Sequence, residues 1–180
     1  MNINWQAVFN AEIAWEAIPQ ILEGLPYTLS LSLIGFALGT FCGFFVALLR
    51  MSKITPLRWL AMLHISLMRG IPLMVLLFFI YFGLPFMGIQ LDAISASIIA
   101  FTSMSSAYIS EIIRASLSAI DKGQWEAAKS LGLRTNVIYR KIIIPQAFRI
   151  ALPPLSNVLL DMVKSTSLTA MITVPEIFNK

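Results

Sequence analysis

The sequence predicts an all-α, polytopic helical membrane protein, and three observations support this fold class. First, 58% of the 180 residues are hydrophobic and only 12% are charged, and the mean hydropathy is +0.80, unlike an ordinary soluble domain. Second, uncharged stretches recur that are long enough to cross a hydrocarbon core of about 30 Å. Third, eleven of the 13 Lys and Arg residues lie in or beside two connections between these stretches. Such an asymmetry is typical of cytoplasmic loops.

Residues 1–24 predict an extracytoplasmic or interfacial amino-terminal segment. They contain Glu residues but no Lys or Arg, whereas a secretory signal would begin with positive charge. Trp5 and Trp15 suit the boundary between lipid and water. Residues 25–180 are then expected to form the membrane domain.

Residues 25–49 form an uncharged run that predicts the first membrane span. Gly35, Gly39 and Gly43 repeat at intervals of four within it, so they share one helical face. Small residues on one face let another helix approach closely, and we therefore predict a packing seam along these glycines. The alternative is that they reflect only the ordinary glycine content of membrane helices.

Residues 59–84 and 93–113 predict the second and third spans. The second contains Arg69 and Pro72, so we expect one helix that is kinked at the proline. The third carries Glu111 close to its end, and Arg114 follows three residues later, within reach of an ion pair. A carboxylate inside a membrane is otherwise a candidate functional group, and this alternative stays open.

The most charged stretch of the chain begins with a predicted short helix. Asp121 suits its N-cap, and Trp125, Ala128 and Leu131 would share one face. Gly132 follows at the position where a helix end favours a left-handed residue.

A second short helix is predicted to begin at Thr135, to stack Ile138 with Ile142, and to end before Pro145. The two helices together form a loop over residues 121–145. Such a loop could dock against another protein or lie as an amphipathic hairpin on lipid headgroups. The residue pattern alone favours neither.

Residues 146–163 predict a fourth span, and we expect its backbone to be broken at Pro153 and Pro154, which lack amide hydrogens. Broken helices in membranes usually border a cavity or pathway. Four polar residues near its end are candidate pathway residues: Asp161, Lys164, Thr166 and Ser167. Their charges and hydroxyl groups would suit a zwitterionic solute, and the alternative is a solvated outer loop.

The distribution of basic residues predicts the orientation. They flank the connection after the first span and the long loop after the third: Arg50, Lys53, Arg58, Arg69, Arg114, Lys122, Lys129, Arg134, Arg140, Lys141 and Arg149. Both connections are therefore expected to face the cytoplasm. The amino terminus and residues 88–92 are then expected to lie outside.

The inventory of reactive side chains excludes several classes of function. Cys42 and His64 are the only cysteine and histidine, so no internal disulfide, His-based metal site or Ser-His-Asp triad can be assembled. No G-x-x-x-x-G-K-[ST] sequence for a nucleotide phosphate occurs. The net charge is +4, but the basic residues flank apolar spans without interleaved aromatic residues, which argues against nucleic acid as a partner. We therefore expect neither enzymatic activity nor a metal or cofactor.

The charged loop resembles the EAA loop of importer permeases in the ATP-binding-cassette (ABC) superfamily. The resemblance rests on Glu126, Ala127, Ala128 and Gly132, followed by Ile144-Pro145. Four blocks resemble the polar amino-acid uptake branch, which includes histidine, glutamine and cystine permeases: RGIPLMVLLFFIYFGLP (69–85), AYISEIIRASLSAIDKGQWEAAKSLG (107–132), PQAFRIALPPL (145–155) and KSTSL (164–168). An EAA triplet alone is weak evidence, whereas four blocks in order are strong.

The resemblance implies a type I-like importer permease that forms half of a translocation pathway and draws energy from a separate ATPase. In the family, the EAA loop forms coupling helices that seat in the ATPase. This assigns coupling to Gln124, Trp125, Glu126, Ala127, Ala128 and Gly132, with Trp125 as the expected apolar anchor. The expected partners are ABC ATPase subunits, a second permease copy or paralogue, an extracytoplasmic solute-binding protein and the lipid bilayer of a prokaryotic cell membrane. The transported amino acid and the choice between homodimer and heterodimer stay open.

The sequence departs from the branch in two places. Permeases of this kind typically carry a fifth span after the segment that corresponds to residues 174–178, whereas this chain ends at Lys180. We therefore expect four spans here, with the fifth missing from a fragment or an incomplete reading frame. Ser165 stands where the branch often has Asp.

An ion-coupled secondary carrier or channel subunit is the alternative function. Such a protein would need acidic or histidine relay groups inside the spans. Glu111 and Asp161 are the candidates, and both lie near predicted span ends.

Overall fold

A computed structural model describes residues 11–174, and for residues 11–14, 16, 17 and 20 it describes the backbone alone. Within this part the chain consists of helices and short connections, and no β-strand occurs. The all-α fold class is therefore confirmed. The expectation for Trp5 and the start of any fifth span after residue 174 lie outside the described residues.

Helix α1 (Ala11–Met51) has 41 residues and contains the whole predicted first span. Its apolar residues lie on all sides, as expected for a helix surrounded by lipid and protein, and Pro19 and Pro26 lie within it without ending it. The helix passes through residue 24 without interruption. The division between an interfacial segment and a membrane domain at that point stays a prediction.

The predicted second span consists of two helices rather than one kinked helix. Helix α2 (Thr55–Gly70) is followed by α3 (Leu73–Phe78), which continues as a π-helical turn (Phe79–Gly83) and a 3-10 turn (Leu84–Met87). The two parts meet at 104°. Ile71 (φ −92°, ψ 127°) is extended because a residue before proline avoids the α region, and Pro72 (φ −58°, ψ 138°) is extended as well. Two extended residues in succession redirect the chain far more than a kink.

Helix α4 (Ala93–Ser118) begins at an aspartate cap. The Asp92 carboxylate accepts a hydrogen bond from the Ser95 backbone N–H at 3.2 Å, which gives one free amide of the first turn a partner. Hydrogen bonding from Ser95 holds the pKa of the Asp92 carboxyl below its usual value.

Helices α1 and α4 pack closely along the predicted glycine face. A Cβ atom at Gly39 would overlap the Ser105 hydroxyl and lie 2.9 Å from the Ser105 Cβ. A Cβ atom at Gly43 would lie 2.9 Å from the Ser106 carbonyl oxygen. Real Cβ atoms do not approach neighbours this closely, so only glycine fits at these distances. The predicted packing seam is confirmed, and α4 is its partner.

The second predicted helix of the charged loop does not end before Pro145. Helix α5 (Lys122–Ser130) is followed by α6 (Thr135–Ile138), a π-helical turn (Tyr139–Ile143) and α7 (Ile144–Ser165), the last three without a break. A proline ring meets the carbonyl four residues earlier, and the wider π turn directly before Pro145 accommodates that ring. The π turn also bonds residues five apart. It buries Ile143 together with Ile138, and Ile142, the predicted partner of Ile138, packs partly buried against the same core.

The expected break at Pro153 and Pro154 is also wrong, because α7 passes through both prolines. Two adjacent prolines remove two neighbouring backbone hydrogen bonds, but the turns before and after keep theirs. The Ser156 hydroxyl donates to the Leu152 carbonyl at 3.0 Å. This bond gives a carbonyl beside the prolines an additional donor.

A 3-10 turn (Thr166–Ile172) follows α7 and packs into the helix bundle. Ile172 and Val174 are fully buried and share the main core with Leu77 and Phe101. The core therefore joins the chain after α7 to α3 and α4.

Three stretches are long and apolar enough to cross a membrane: Ile21–Met51, Ala93–Ser118 and Thr135–Ile172. The bent pair formed by Thr55–Gly70 and Leu73–Met87 provides a fourth if it is counted as one broken span. Four predicted spans thus correspond to four helical segments of the described chain.

Candidate functional site

Both ends of α5 have the geometry that the sequence predicts. At the start, the Asp121 carboxylate accepts from the Gly123 N–H at 2.5 Å. At the end, Gly132 has φ +72°, its N–H donates to the Lys129 carbonyl at 2.9 Å, and the Leu133 N–H donates to the Ala128 carbonyl at 3.2 Å. These two bonds form a Schellman motif. The helix is therefore defined at both ends by its own sequence.

The charged hairpin (residues 121–143) has a small apolar core of its own. Its buried residues are Ile120, Ala128, Ile138, Ile143 and Ala147. Trp125 packs at the edge of this core, and its ring meets the Tyr139 ring edge-on at a centroid distance of 4.7 Å. Because Ile120 follows α4 directly and Ala147 lies in α7, the same core fixes the hairpin to both membrane helices.

The outward surface of α5 is formed by the other predicted coupling residues. Gln124, Glu126 and Ala127 are exposed, while Ala128 is buried beneath them. Leu131 is 79% exposed, because it is the C-cap residue and leaves the helical path there. The prediction that Leu131 shares the face of Trp125 and Ala128 is therefore wrong. Its position directly before Gly132 could have predicted this, because a left-handed glycine usually marks the end of a helix.

The predicted ion pair between Glu111 and Arg114 is confirmed and includes a third residue. Arg114 donates to Glu111 Oε2 from Nε at 3.0 Å and from a terminal nitrogen at 2.8 Å. Arg50 Nε, at the end of α1, lies 3.7 Å from Glu111 Oε1. The cluster joins the ends of α1 and α4, so Glu111 has a structural role in this arrangement.

A cavity of about 260 Å³ lies between α3, α4 and α7. It is lined by Leu73, Phe101, Met104, Ser105, Tyr108, Val158, Asp161, Met162 and Ser165. Asp161 is the charged residue of this lining, and Ser105, Tyr108 and Ser165 add hydroxyl groups. The cavity is mostly apolar with a few polar groups, as small-molecule sites usually are.

The structure separates the four predicted pathway residues. Asp161 and Lys164 are both exposed, and of the two Asp161 lines the cavity. Thr166 is fully buried and donates to the Val163 carbonyl at 2.8 Å, and Ser167 donates to the Lys164 carbonyl at 2.8 Å. The sequence analysis did not identify Ser105 and Tyr108 as candidate site residues. Both are uncharged residues of a predicted span, so nothing in the local sequence distinguishes them from packing residues.

Residues 39–178 match the family described as binding-protein-dependent transport system inner membrane component. The chain belongs to this family. It is thus a permease component of the kind that the EAA loop and the four sequence blocks predict.

Curated relatives support the same conclusion. The probable amino-acid ABC transporter permease protein YckA of Bacillus subtilis is 52% identical over 176 residues, which cover 98% of this chain and 78% of that protein. The L-cystine transport system permease protein TcyB of the same organism is 40% identical over 93% of this chain and 74% of that protein. The predicted resemblance to amino-acid ABC permeases is confirmed.

Solved structures agree with the fold. A crystal structure of an amino acid ABC transporter with histidines has a TM-score of 0.87 and 36% identity, covering 99% of this permease and 81% of that chain. The MetNI methionine ABC transporter in an inward-facing conformation has a TM-score of 0.60 at 22% identity, covering 88% and 74%, and supports the fold alone. The type I-like permease fold is confirmed.

Proposed function

We propose that this permease is the membrane-spanning subunit of an ATP-driven importer of polar amino acids. It forms half of a translocation pathway in a prokaryotic cell membrane, with its amino terminus outside. A second permease copy or paralogue completes the pathway, two ABC ATPase subunits supply energy, and an extracytoplasmic protein delivers the solute. The names of the relatives support the amino-acid class.

One observation carries the proposal of ATPase coupling. The core of the charged hairpin contains Ile120 and Ala147. Ile120 lies just after the end of α4, and Ala147 lies in the first turn of α7. A small, well-packed core transmits displacement because it has no space in which to deform. A force on the exposed face of α5 therefore reaches the helices that line the cavity.

The residues of the hairpin divide into two roles under this proposal. Gln124, Glu126 and Ala127 contact the ATPase, and the exposed Leu131 adds an apolar contact at the tip. Trp125, Ala128 and Gly132 fix the shape of that surface from below and at its end. The expected role of Trp125 as an anchor toward the partner stays a prediction, and its contact with Tyr139 supports a role within the hairpin.

The cavity is the proposed pathway segment, and Asp161 is its candidate contact for the ammonium group of an amino acid. Asp161 is exposed, so its attraction for a cation gains strength only where a bound solute and the apolar walls exclude water. Lys164, Thr166 and Ser167 are not among the cavity-lining residues, and we propose that they contact the solute after a rotation of α7.

Two hairpin variants test the coupling. Gly132→Val forces a β-branched residue into a left-handed conformation, which costs about 1–3 kcal/mol, and Glu126→Lys reverses an exposed charge. We expect both to insert into the membrane but to lower ATP-driven uptake in reconstituted vesicles by about tenfold or more, equivalent to at least about 1.4 kcal/mol of coupling. Pull-down of the ATPase on the same preparations distinguishes lost binding from lost coupling.

Lys129→Gln is the matched control, because Lys129 is exposed on the same helix, and it is expected to behave like the parent. If both loop variants bind the ATPase and transport normally, the hairpin has no coupling role. Uptake that is equally fast without ATP and ATPase would favour an ion-coupled carrier instead.

A further inference from the structure

Helix α2 differs from the other long helices of the described chain because its contacts keep it at one level of the bundle. Arg50, at the end of α1 and five residues before α2 begins, lies 3.7 Å from Glu111 of α4. His64, in the middle of α2, hydrogen bonds Ser106 of α4 at 2.9 Å. Arg69, at its end, lies over the Tyr108 ring at 5.4 Å from the centroid.

These contacts define how α2 is oriented. His64 and Arg69 lie about 7.5 Å apart along α2, whereas their partners Ser106 and Tyr108 lie about 3 Å apart along α4. The second half of α2 is therefore inclined to α4 rather than parallel to it. The 104° angle to α3 then directs α3 along the bundle.

The lengths of the neighbouring segments agree with this arrangement. Tyr108 lies about 22 Å along α4 from Ala93. The segment Leu73–Met87 begins near Tyr108 and runs back toward Asp92. It must therefore span about the same distance as α4 does between Ala93 and Tyr108. The segment covers about 22 Å of a hydrocarbon core of about 30 Å, so it provides most of this crossing, and α2, at 104° to α3, adds little to it.

Three faces are present on α2. One contacts the bundle through the buried Ala61 and Ile65 and through His64. A second is an exposed apolar stripe: Trp59 64%, Leu60 60%, Leu63 57% and Leu67 48% exposed. The third lies between these two and carries Arg58, Ser66 and Arg69, which fall on one side at 100° per residue. This pattern is typical of a helix that lies in a membrane interface.

The charge of this region is entirely positive. No Asp or Glu occurs between Glu23 and Asp92. Lys53 and Arg58 form no ion pair with any residue of the described chain, and Trp59 beside Arg58 suits the boundary between headgroups and acyl chains. Lys53 and Arg58 therefore lack a negatively charged partner, and an anionic surface would provide one.

We infer that α2 and the preceding connection form a binding surface for anionic phospholipid headgroups. Lys53 and Arg58 contact the lipid phosphates, and the stripe from Trp59 to Leu67 enters the acyl region beside them. The bilayer is chosen over a second protein copy because the apolar stripe and the unpaired basic residues adjoin along one helix. An interface with another copy of this chain would bury those charges without acidic partners.

Lipid titration tests the charged part of the surface. The full chain is placed in phosphatidylcholine nanodiscs, and its affinity for added phosphatidylglycerol is measured by native mass spectrometry. For Lys53→Gln/Arg58→Gln we expect the affinity to fall about fivefold for each charge removed, with unchanged thermal unfolding in phosphatidylcholine alone. The matched control is Lys122→Gln/Arg134→Gln, which removes the same charge from exposed positions of the hairpin. Equal losses in both double variants, or no loss in either, would overturn the inference.

Trp59 tests the apolar part. A variant with Phe at positions 5, 15 and 125 leaves Trp59 as the single tryptophan. We expect phosphatidylcholine brominated near the headgroup end of its acyl chains to quench the Trp59 fluorescence. Absence of quenching would mean that protein covers the stripe, and the lipid assignment would then be wrong.

Discussion

At the scale of single residues, glycines 39 and 43 determine how closely two helices pack. The Ser105 side chain occupies the position where a side chain at residue 39 would begin, so a single added carbon has no space. The same change at Gly70 meets nothing within 4 Å. The same glycine-to-alanine substitution can therefore be compared at a tightly packed position, Gly39, and at an open one, Gly70.

We predict that Gly39→Ala destabilises the folded bundle by about 1–3 kcal/mol through overpacking. Gly70→Ala is expected to be neutral or slightly stabilising, since it restricts the unfolded chain without a clash. Thermal unfolding in detergent, followed by far-ultraviolet circular dichroism, compares the two. A Gly39→Ala protein as stable as Gly70→Ala would show that α1 and α4 are not in close contact.

At the scale of elements, the π turn before Pro145 sets the rotation of the hairpin relative to α7. Proline excludes a regular α-helical bond to Lys141, and the π turn brings Ile138 and Ile143 into the same small core. An ordinary α-helix would turn residues five apart to different sides. The register of the hairpin thus depends on one proline.

We predict that Pro145→Ala allows the turn to become α-helical and rotates α6 away from its packing. The variant should insert normally, because it gains a backbone donor, yet show at least a severalfold decrease in ATP-driven uptake. Faster amide hydrogen exchange at residues 138–143 would accompany the loss of packing. Pro153→Ala is the control, as no π turn precedes it; equal behaviour of the two variants would contradict this account.

The elements also mark how far the sequence alone can be interpreted. The span at residues 25–49, the cap at Asp121 and the turn at Gly132 were predictable because each depends on neighbouring residues. The glycine repeat predicted a seam, but not which helix fills it. Pro72 and Pro145 predict a change in the helical path, but the 104° angle at Ile71-Pro72 and the choice of a π turn before Pro145 were not predictable, because tertiary packing selects among the paths that proline allows.

The candidate site follows the same division. The exposure of Glu126 and the burial of Ala128 follow from a short helix with one apolar face. The cavity does not follow from local sequence, because Tyr108 and Asp161 are brought together by two helices distant in the chain. From the sequence, Lys164 and Asp161 were equally good candidates, since both are charged residues near the end of the same span. Only the orientation of α7 in the bundle places Asp161 in the cavity lining and Lys164 outside it.

At the scale of the whole molecule, we predict that the hairpin is cytoplasmic and that residues 88–92 lie outside. Gln90→Cys and Lys122→Cys, each in a Cys42→Ser background, report the two sides with a membrane-impermeant thiol reagent. In intact cells we expect labelling at residue 90 only, because the basic connections stay inside. Labelling of residue 122 from outside would invert the orientation.

The contact between α1 and α4 limits which motions are available to the molecule. Two helices that touch backbone to side chain over three glycine turns, and whose ends are joined through Glu111, have almost no freedom to slide or roll against each other. We expect them to move as one rigid body. In the proposed importer, a switch between outward and inward access would then use rotation of α7 and bending at Ile71-Pro72. The wall of the cavity that stays in place and the wall that moves would thus belong to different helices.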